Sequence, residues 1–313
     1  MIGPTCAAAA STRRRRLLAL LGLLGLPPAV GLAPARAQGT AAAAAEPAAP
    51  GWIRRERITS DGVRLNLLEQ APAGGTDAGA PVVVLLPGWC MPATIWRAQL
   101  EALGARWTTV AIDPRGQGES AVPAGGYTAD RRADDLHDVL QGYGRVVLVA
   151  WSLGVLEALQ YVQRHGSGRL LGLALVDNSI GEPPAPHGSD FLARLRRARR
   201  ATLEGFVRSL FARPPPPAYL DALRDAALRM PLESSIALLS YPQPREHWRD
   251  IVHAFDRPLA YLVTPRFREQ SQHLLAARPA SRVEIFENAG HALFVDEAQR
   301  FNGFMEGWIE GLG

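Results

Sequence analysis

The sequence predicts an α/β protein with a mostly parallel sheet of about eight strands, helices on both faces and a helical insertion. Short runs of aliphatic and β-branched residues alternate with longer stretches of helical periodicity, which is typical of a parallel sheet covered on both sides. This alternation stops between residues 180 and 256. The chain has 313 residues, a length that suits one or two domains.

Each predicted element follows from its residue pattern. The first two strands, residues 53–58 and 63–69, form a hairpin around Asp61 and Gly62, a favourable turn pair. Continuous apolar runs predict six buried strands, at residues 82–87, 107–113, 145–151, 170–177, 259–263 and 281–287. Helical periodicity predicts five helices, at residues 92–103, 128–142, 153–165, 266–277 and 294–311.

Residues 180–256 form the insertion, where short helical pieces are separated by prolines, four of them at Pro214–Pro217. An insertion between two parallel strands leaves and returns at one edge of the sheet, where open α/β sheets bind ligands. We therefore expect a helical cap over a site. The core would comprise residues 52–179 and 257–313.

The N-terminus has the features of a secretory signal peptide. Four arginines at residues 13–16 precede an apolar run from Leu17 to Leu26, and Ala35–Ala37 fits the small-residue cleavage site. The arginines also fit a twin-arginine signal, although Arg13 stands where Ser or Thr is usual. Residues 1–37 are thus predicted as the signal and 38–51 as a flexible leader. The mature protein would be exported, periplasmic or secreted, without stable membrane insertion; an uncleaved membrane anchor is the alternative.

The formal charge of +4 does not indicate a nucleic-acid partner. Five arginines lie before residue 38, where there is no acid, and the remaining chain has 29 basic and 30 acidic residues. All basic residues are arginine, a bias that a GC-rich coding sequence explains. Removal of the signal would leave only Cys90, so no internal disulfide is expected. The oligomeric state stays open.

Ser152 is the candidate nucleophile. It follows the strand at residues 145–151 directly and precedes Leu153, Gly154 and an apolar helix. A tight turn from strand to helix exposes a serine hydroxyl and directs the next backbone N–H at the substrate oxygen. Ala150 stands at the position where this pattern usually has glycine, and alanine is also small enough for the close contact between strand and helix there. An ordinary helix N-cap is the alternative for an isolated serine.

Other strand ends supply the groups that such a serine needs. The turn at Gly88 and Trp89 could complete an oxyanion hole with the N–H of Leu153. A glycine-rich turn, Asp113–Ser120, follows the next strand, and His291 lies on a loop after the last strand. We expect these groups at the same edge of the sheet. Gly88, Trp89 and Trp151 are the candidate substrate-binding residues.

The segments LLPGW, AIDPRGQGES, VAWSLG and ENAGHALF, in this order, make residues 53–311 resemble the α/β-hydrolase family. The stretches around Trp89 and Ser152 are similar to the carboxylesterase branch that contains pimeloyl-carrier-protein methyl ester esterases. The resemblance implies a serine hydrolase with Ser152 as nucleophile and His291 as general base. It also implies that Trp89 and Leu153 donate the oxyanion N–H groups.

The third member of the triad is ambiguous. Most of the family has an aspartate after the strand that corresponds to residues 259–263, but here Thr264–Glu269 contains none. Asp177, at the end of the preceding strand, is the first candidate, and some relatives place the acid there. Glu182 and Glu269 are alternatives, and so is a true absence of the acid. Asp177 could also simply cap its turn.

The sequence therefore predicts a hydrolase that cleaves a small-molecule carboxylic ester or thioester through an acyl-enzyme, without cofactor. The alternatives are a cofactor-free perhydrolase or haloperoxidase-like enzyme, another acyl hydrolase, or a noncatalytic binding protein with this fold. A metal site is not expected, since His247 and His253 do not share a helical face and no HExxH pattern occurs.

Overall fold

The computed structural model describes residues 51–77, 79–185 and 190–312. The predicted signal and nearly all of the leader lie outside the described residues. The described chain forms an eight-stranded sheet with the order β1-β2-β4-β3-β5-β6-β7-β8. The strands are β1 (Ile53–Ile58), β2 (Arg64–Gln70), β3 (Val82–Leu86), β4 (Thr109–Asp113), β5 (Val146–Trp151), β6 (Leu170–Val176), β7 (Leu259–Val263) and β8 (Arg282–Ile285).

The first strands pair antiparallel, β1 with β2 and β2 with β4, and all other neighbours are parallel. The predicted mostly parallel α/β sheet is thus confirmed. Because the six parallel strands run the same way, the turns after β5, β6 and β7 all leave from one edge of the sheet.

Helices cover both faces, as predicted. The predicted last helix is divided at Glu297, whose backbone (φ −123°, ψ 50°) departs from helical geometry. The core helices are α1 (Arg97–Leu103), α2 (Ala129–Leu140), α3 (Leu153–His165), α9 (Arg268–Ala277), α10 (Leu293–Asp296) and α11 (Ala298–Glu310). Short 3₁₀ turns precede α1 and α9, at Ala93–Trp96 and Pro265–Phe267.

The predicted cap consists of helices in the described part of residues 180–256, between β6 and β7. They are α4 (Phe191–Arg197), α5 (Arg199–Ser209), α6 (Pro217–Arg229), α7 (Leu232–Leu238) and α8 (Arg245–Ala254). Prolines at the start of α6 and just before α7 and α8 explain the short helices, since proline is tolerated there and not in a helix interior.

Two hydrophobic clusters lie on the two faces of the sheet, and β5 contributes to both. Val147, Val149 and Trp151 belong to one cluster. Val146, Leu148 and Ala150 belong to the other. Every residue of β5 is buried, which explains why this strand appears in the sequence as a continuous apolar run instead of an alternating one.

Candidate active site

Ser152 occupies a strained turn between β5 and α3. Its backbone has φ 55° and ψ −123°, a conformation that costs a non-glycine residue roughly 1–3 kcal/mol. Its N–H donates to the carbonyl of Val176 over 2.9 Å, which fixes the turn to the end of β6. A Cβ on Gly154 would lie 2.8 Å from the carbonyl oxygen of Pro87, so only glycine fits there without a shift.

His291 lies on the loop between β8 and α10, and its ring faces the serine. Its Nε2 is 2.8 Å from Ser152 Oγ. The indole Nε1 of Trp151 donates to the carbonyl of His291 over 2.8 Å. The residue just before the serine therefore positions the loop that presents the imidazole.

Asp177 completes the hydrogen-bonded chain. It follows β6 with φ 45°, and its Oδ2 is 2.7 Å from His291 Nδ1. Its Oδ1 accepts from the backbone N–H and the hydroxyl of Thr264, over 2.7 and 2.8 Å. Thr264 stands directly after β7, where most relatives were expected to place the acid. Both oxygens of this buried carboxylate thus have partners.

The other two candidate acids do not reach His291. Glu182 is buried, and its Oε1 lies 2.5 Å from Nε2 of His253 at the end of α8. Glu269 is exposed on the first turn of α9. Of the three carboxylates considered from sequence, only Asp177 is within hydrogen-bond distance of the imidazole.

The candidate oxyanion donors lie on both sides of the serine turn. Leu153 is the first residue of α3, so its N–H has no acceptor within the helix. Trp89 lies on the loop after β3, and a Cβ on the neighbouring Gly88 would lie 2.9 Å from Ser152 Cβ. Close packing of Gly88 against the serine brings this loop to the site. The following residue, Cys90, has φ 57°.

Gln117 holds the loop of Trp89 and was missed at the sequence level. Its Nε2 donates to the carbonyls of Gly88 and Met91, over 3.0 and 2.8 Å. Its Oε1 accepts from the guanidinium of Arg132 over 3.2 Å. The signal that could have identified it is its place inside the glycine-rich turn that was predicted to lie beside the site.

A buried ion pair between Arg132 and Glu157 connects Gln117 to the cap. Nε of Arg132 lies 2.9 Å from Oε1 of Glu157, and both side chains are 1% exposed. Burial raises the pKa of Glu157, and the charge of Arg132 and its hydrogen bonds oppose that rise. The hydroxyl of Tyr241, which follows α7, donates to Glu157 Oε1 over 3.3 Å. A cap residue is thus linked through three core residues to the loop of Trp89.

A cavity of about 600 Å³ opens over Ser152, a size that suits a small ligand. Its polar lining residues besides Ser152 are Asn178, Arg194, Tyr241 and Arg266. The apolar lining comes from both the core and the cap: Trp89, Leu153, Leu156, Phe191, Leu192, Phe206, Leu238, Leu239 and Trp248.

Of the three candidate substrate-binding residues, only Trp89 lines this cavity. Its ring meets the edges of Phe191 and Phe206, and its Nε1 donates to the carbonyl of Ser235 over 2.7 Å. Gly88 and Trp151 are not among the residues that line the cavity, and their role in substrate binding stays a prediction. The ring of Trp151 is buried against Phe294 beneath the histidine loop, and Gly88 is packed against the serine turn.

A polar junction joins the histidine loop to the segment that follows α5. One carboxylate oxygen of Asp296 accepts from Gly290 and Ala212, over 2.7 and 2.8 Å. The N–H of Ala292 donates to the carbonyl of Leu210 over 2.7 Å. The cap is therefore bonded directly to Ala292, and through Asp296 to Gly290, the two residues on either side of His291.

Neither a membrane span nor a metal centre is found in the described residues. No described helix combines the length and apolarity needed to cross a bilayer. No three His, Cys, Asp or Glu side chains in the described ranges are grouped so that they could hold a metal ion.

The sequence that forms most of this sheet and the serine turn also matches a family model. The model described as "Alpha/beta hydrolase family" matches residues 83–304. The chain belongs to the alpha/beta hydrolase family. The resemblance inferred from the sequence motifs is thereby confirmed.

This alpha/beta hydrolase is similar to curated proteins of differing activity. Non-heme chloroperoxidase CPO-A1 of Kitasatospora aureofaciens is 42% identical over 101 residues, which are 31% of this chain and 36% of that protein. "Putative carbamate hydrolase RutD" of Klebsiella pneumoniae (strain 342) is 31% identical over 261 residues, 77% of this chain and 93% of that protein. Pimeloyl-acyl-carrier-protein methyl ester esterase of Citrobacter koseri is 28% identical over 235 residues, 70% of this chain and 90% of that protein.

The same fold is found in solved structures. The esterase EaEST of Exiguobacterium antarcticum superposes with a TM-score of 0.71 at 22% identity, covering 82% of this chain and all of that one. A sequence identity of 22% supports a shared fold and does not assign a substrate or an activity. The family and the named relatives together support a hydrolase.

Proposed function

We propose that this alpha/beta hydrolase cleaves a carboxylic ester or thioester through an acyl-enzyme formed on Ser152. The observation that carries the proposal is the hydrogen-bonded chain from Asp177 through His291 to Ser152, with distances of 2.7 and 2.8 Å. A nucleophile, a base in contact with it and an acid that orients the base are the parts that serine acyl transfer requires.

In the first half-reaction, His291 Nε2 takes the hydroxyl proton while Ser152 Oγ attacks the ester carbonyl. The backbone N–H groups of Trp89 and Leu153 stabilise the oxyanion of the tetrahedral intermediate. The imidazolium then gives its proton to the leaving alcohol. Asp177 keeps the imidazole in the required tautomer and stabilises its positive charge.

In the second half-reaction, a water molecule gives a proton to His291 and attacks the acyl carbonyl, which releases the acid and restores the serine. His291 acts as the general base in its neutral form. The largely apolar cavity favours an acyl or alcohol group with aliphatic or aromatic character. The methyl ester esterase relative supports an ester substrate.

The test is hydrolysis of p-nitrophenyl esters from acetate to long acyl chains by the mature protein and by Ser152→Ala. The wild type should turn over the esters and be labelled by a fluorophosphonate, and the variant should lose both properties while keeping its fold. Equal turnover by the variant would refute the assignment of the nucleophile. A folded wild type with neither turnover nor labelling would favour a binding protein.

A second candidate function is perhydrolysis, favoured by the chloroperoxidase relative. The acyl-enzyme would form from a carboxylic acid, with water leaving, and hydrogen peroxide would then release a peracid. Halide oxidation that requires peroxide, a carboxylic acid and Ser152 would support this activity. Hydrolysis of esters without such oxidation would leave the esterase as the only activity.

We also propose that the protein acts outside the cytoplasm, on the basis of the signal-like residues 1–37. The N-terminal sequence of the protein recovered from a periplasmic or culture fraction tests this proposal. A first residue at Gln38 would support cleavage after Ala37. Recovery of the uncleaved chain in the cytoplasm would contradict export.

A further inference from the structure

We propose that the substrate carries an anionic group, such as a carboxylate, joined through an apolar portion to the scissile ester, and that Arg266 and Arg194 bind it. This inference rests on the proposed function and names its substrate class. It follows from the charge of the cavity, from the unequal pairing of its two arginines and from the apolar side chains that line the rest of its walls.

The cavity has a one-sided charge. Its charged lining residues in the described chain are Arg194 on α4 of the cap and Arg266 on the 3₁₀ turn after β7 of the core. No described carboxylate lines it. Asp177, the acid of the catalytic hydrogen-bonded chain, does not contribute charge to the cavity wall. It is only 1% exposed, and its oxygens are hydrogen-bonded to His291 and Thr264.

The two arginines differ in their partners. Arg194 has an acidic neighbour, since its Nε lies 2.9 Å from Oδ1 of Asp190 in an exposed pair. Arg266 packs over the ring of Phe267, with its Cζ 5.4 Å from the ring centre. Within the described residues Arg266 has neither a hydrogen bond nor an ion pair. Stacking on a ring leaves the N–H edge of a guanidinium available to a ligand.

A neighbouring arginine, unlike Arg266, forms an ion pair with a carboxylate of the described chain. Arg268, two residues along the chain, is bound to both carboxylate oxygens of Glu287, over 2.6 and 2.7 Å. Arg266 is instead exposed and lines the cavity. An exposed arginine held only by solvent is the alternative, and it predicts no effect on substrate choice.

The chemistry of the cavity selects a ligand with two parts. A carboxylate forms charge-assisted, often bidentate, hydrogen bonds with a guanidinium, and these are stronger where water is partly excluded. The apolar walls of the same cavity include Phe191, Leu192 and Phe206. An ester whose apolar chain ends in an anionic group would pack its chain against the apolar walls and bind its anion to the arginines.

The experiment compares two matched esters with six methylene groups between the carbonyls. One is the mono-p-nitrophenyl ester of suberic acid, with a free carboxylate, and the other has that carboxylate capped as its methyl ester. The wild type should show a kcat/KM ratio of about ten or more in favour of the carboxylate, as expected for a hydrogen bond to a charged group. The ratio should fall as salt is added, because salt screens charges near the surface.

Arg266→Gln should lower this ratio several-fold, and Arg266→Glu should bring it below one. Arg197→Gln is the matched control, because Arg197 is exposed on α4 and does not line the cavity. The control should keep the wild-type ratio. Arg266→Lys should restore part of the preference, since it keeps the charge without the planar donor edge.

The outcomes separate this inference from the proposed function. Hydrolysis of both esters at similar rates by the wild type, or a ratio that Arg266→Gln leaves unchanged, would overturn the anionic substrate and leave the esterase intact. Absence of hydrolysis of either ester, together with absence of fluorophosphonate labelling, would overturn both.

Discussion

The strand-end turns of the core and the helical cap meet at one cavity, but different contacts hold them. The turns of Ser152 and Asp177 have φ values of 55° and 45° and are tied by backbone hydrogen bonds to the neighbouring strands β6 and β7. The cap is held mainly by side-chain packing, with a few hydrogen bonds to the core, such as those that Leu210 and Ala212 form with Ala292 and Asp296.

This difference separates two tasks. Backbone bonds and strained turns leave little freedom, so the reacting groups stay within bonding distance of one another. Side-chain packing tolerates substitution of similar volume, so the cap can change the shape of the cavity without moving the serine. Changes in the turns should therefore act on kcat, and changes in the cap should act on substrate preference.

The largest effect is expected from Asp177→Asn. The variant should lose roughly 10⁴-fold in kcat for p-nitrophenyl acetate, because an amide cannot hold the imidazole in its working tautomer or stabilise the imidazolium. Circular dichroism should show an unchanged fold. Glu269→Gln is the control and should retain full activity, since Glu269 is exposed on α9. A variant that kept a tenth or more of wild-type activity would contradict the role of Asp177.

Gly290→Ala tests the junction between the two regions. The added Cβ would lie 2.6 Å from the N of Ala212 and 2.7 Å from the O of Leu210, both backbone atoms that cannot turn away. We expect a loss of about 1–3 kcal/mol in the free energy of unfolding. Displacement of His291 by about 1 Å should lower kcat by roughly 10²-fold.

Gly303→Ala serves as the control for that substitution. Gly303 lies on α11 with no neighbouring atom within 4 Å of the new Cβ. Helix propensity predicts that this alanine stabilises the protein by up to about 1 kcal/mol. Equal thermal unfolding temperatures for both alanine variants would show that the cap does not constrain the histidine loop.

Phe206→Ala tests the cap alone. Removing this ring enlarges the cavity and deletes the edge contact with Trp89, whose centroid lies 5.2 Å away. We expect KM for p-nitrophenyl butyrate to rise by about twofold to tenfold, the equivalent of one aromatic pair, with kcat nearly unchanged. Arg208→Ala, exposed on the same helix, should leave KM unchanged. A fall in kcat as large as that of Gly290→Ala would contradict the division of tasks.

The smallest effect concerns surface charge and pH. Desolvation favours a higher pKa for Asp61, but hydrogen bonds from Thr59 and Arg115 and the charges of Arg115 and Arg131 outweigh it and lower the pKa. A lowered pKa in the folded state adds stability above the unfolded pKa, and this stability disappears as the pH falls through the folded value.

Asp61→Asn should therefore destabilise the protein at neutral pH by about 1 kcal/mol, because Asp61 is partly exposed to solvent and the buried Arg115 keeps its pair with Asp135. The difference from wild type should vanish in acid, as measured by urea unfolding across the pH range. Asp225→Asn in the cap should show no measurable change, since Asp225 and its partner Arg224 lie at the surface of α6. A deficit that persists in acid would assign the effect of Asp61 to packing instead of charge.

Much of the core was predictable because its signals are local. The strand β7 and the helix α3 have the predicted bounds, since each is marked by an uninterrupted apolar or periodic run. Ser152 was a candidate because it directly follows a strand pattern, and His291 because it lies on the loop after the last strand, in a segment that resembles the family. The division of the last helix at Glu297 was not predicted, since its residues continue the helical period.

The sheet, the helical cap, and the serine and histidine at the sheet edge were predictable from the sequence, because periodicity, turn residues and the order of the segments can be read along the chain. The folded structure was needed to show which carboxylate reaches His291, that Gln117 supports the loop of Trp89, and that Arg266 lines the cavity. Each of these facts depends on which strand ends and helices become neighbours. For Asp177, the adjacent end of β7 supplies Thr264 as a double donor in place of an acid, and that pairing exists only once the strands lie side by side.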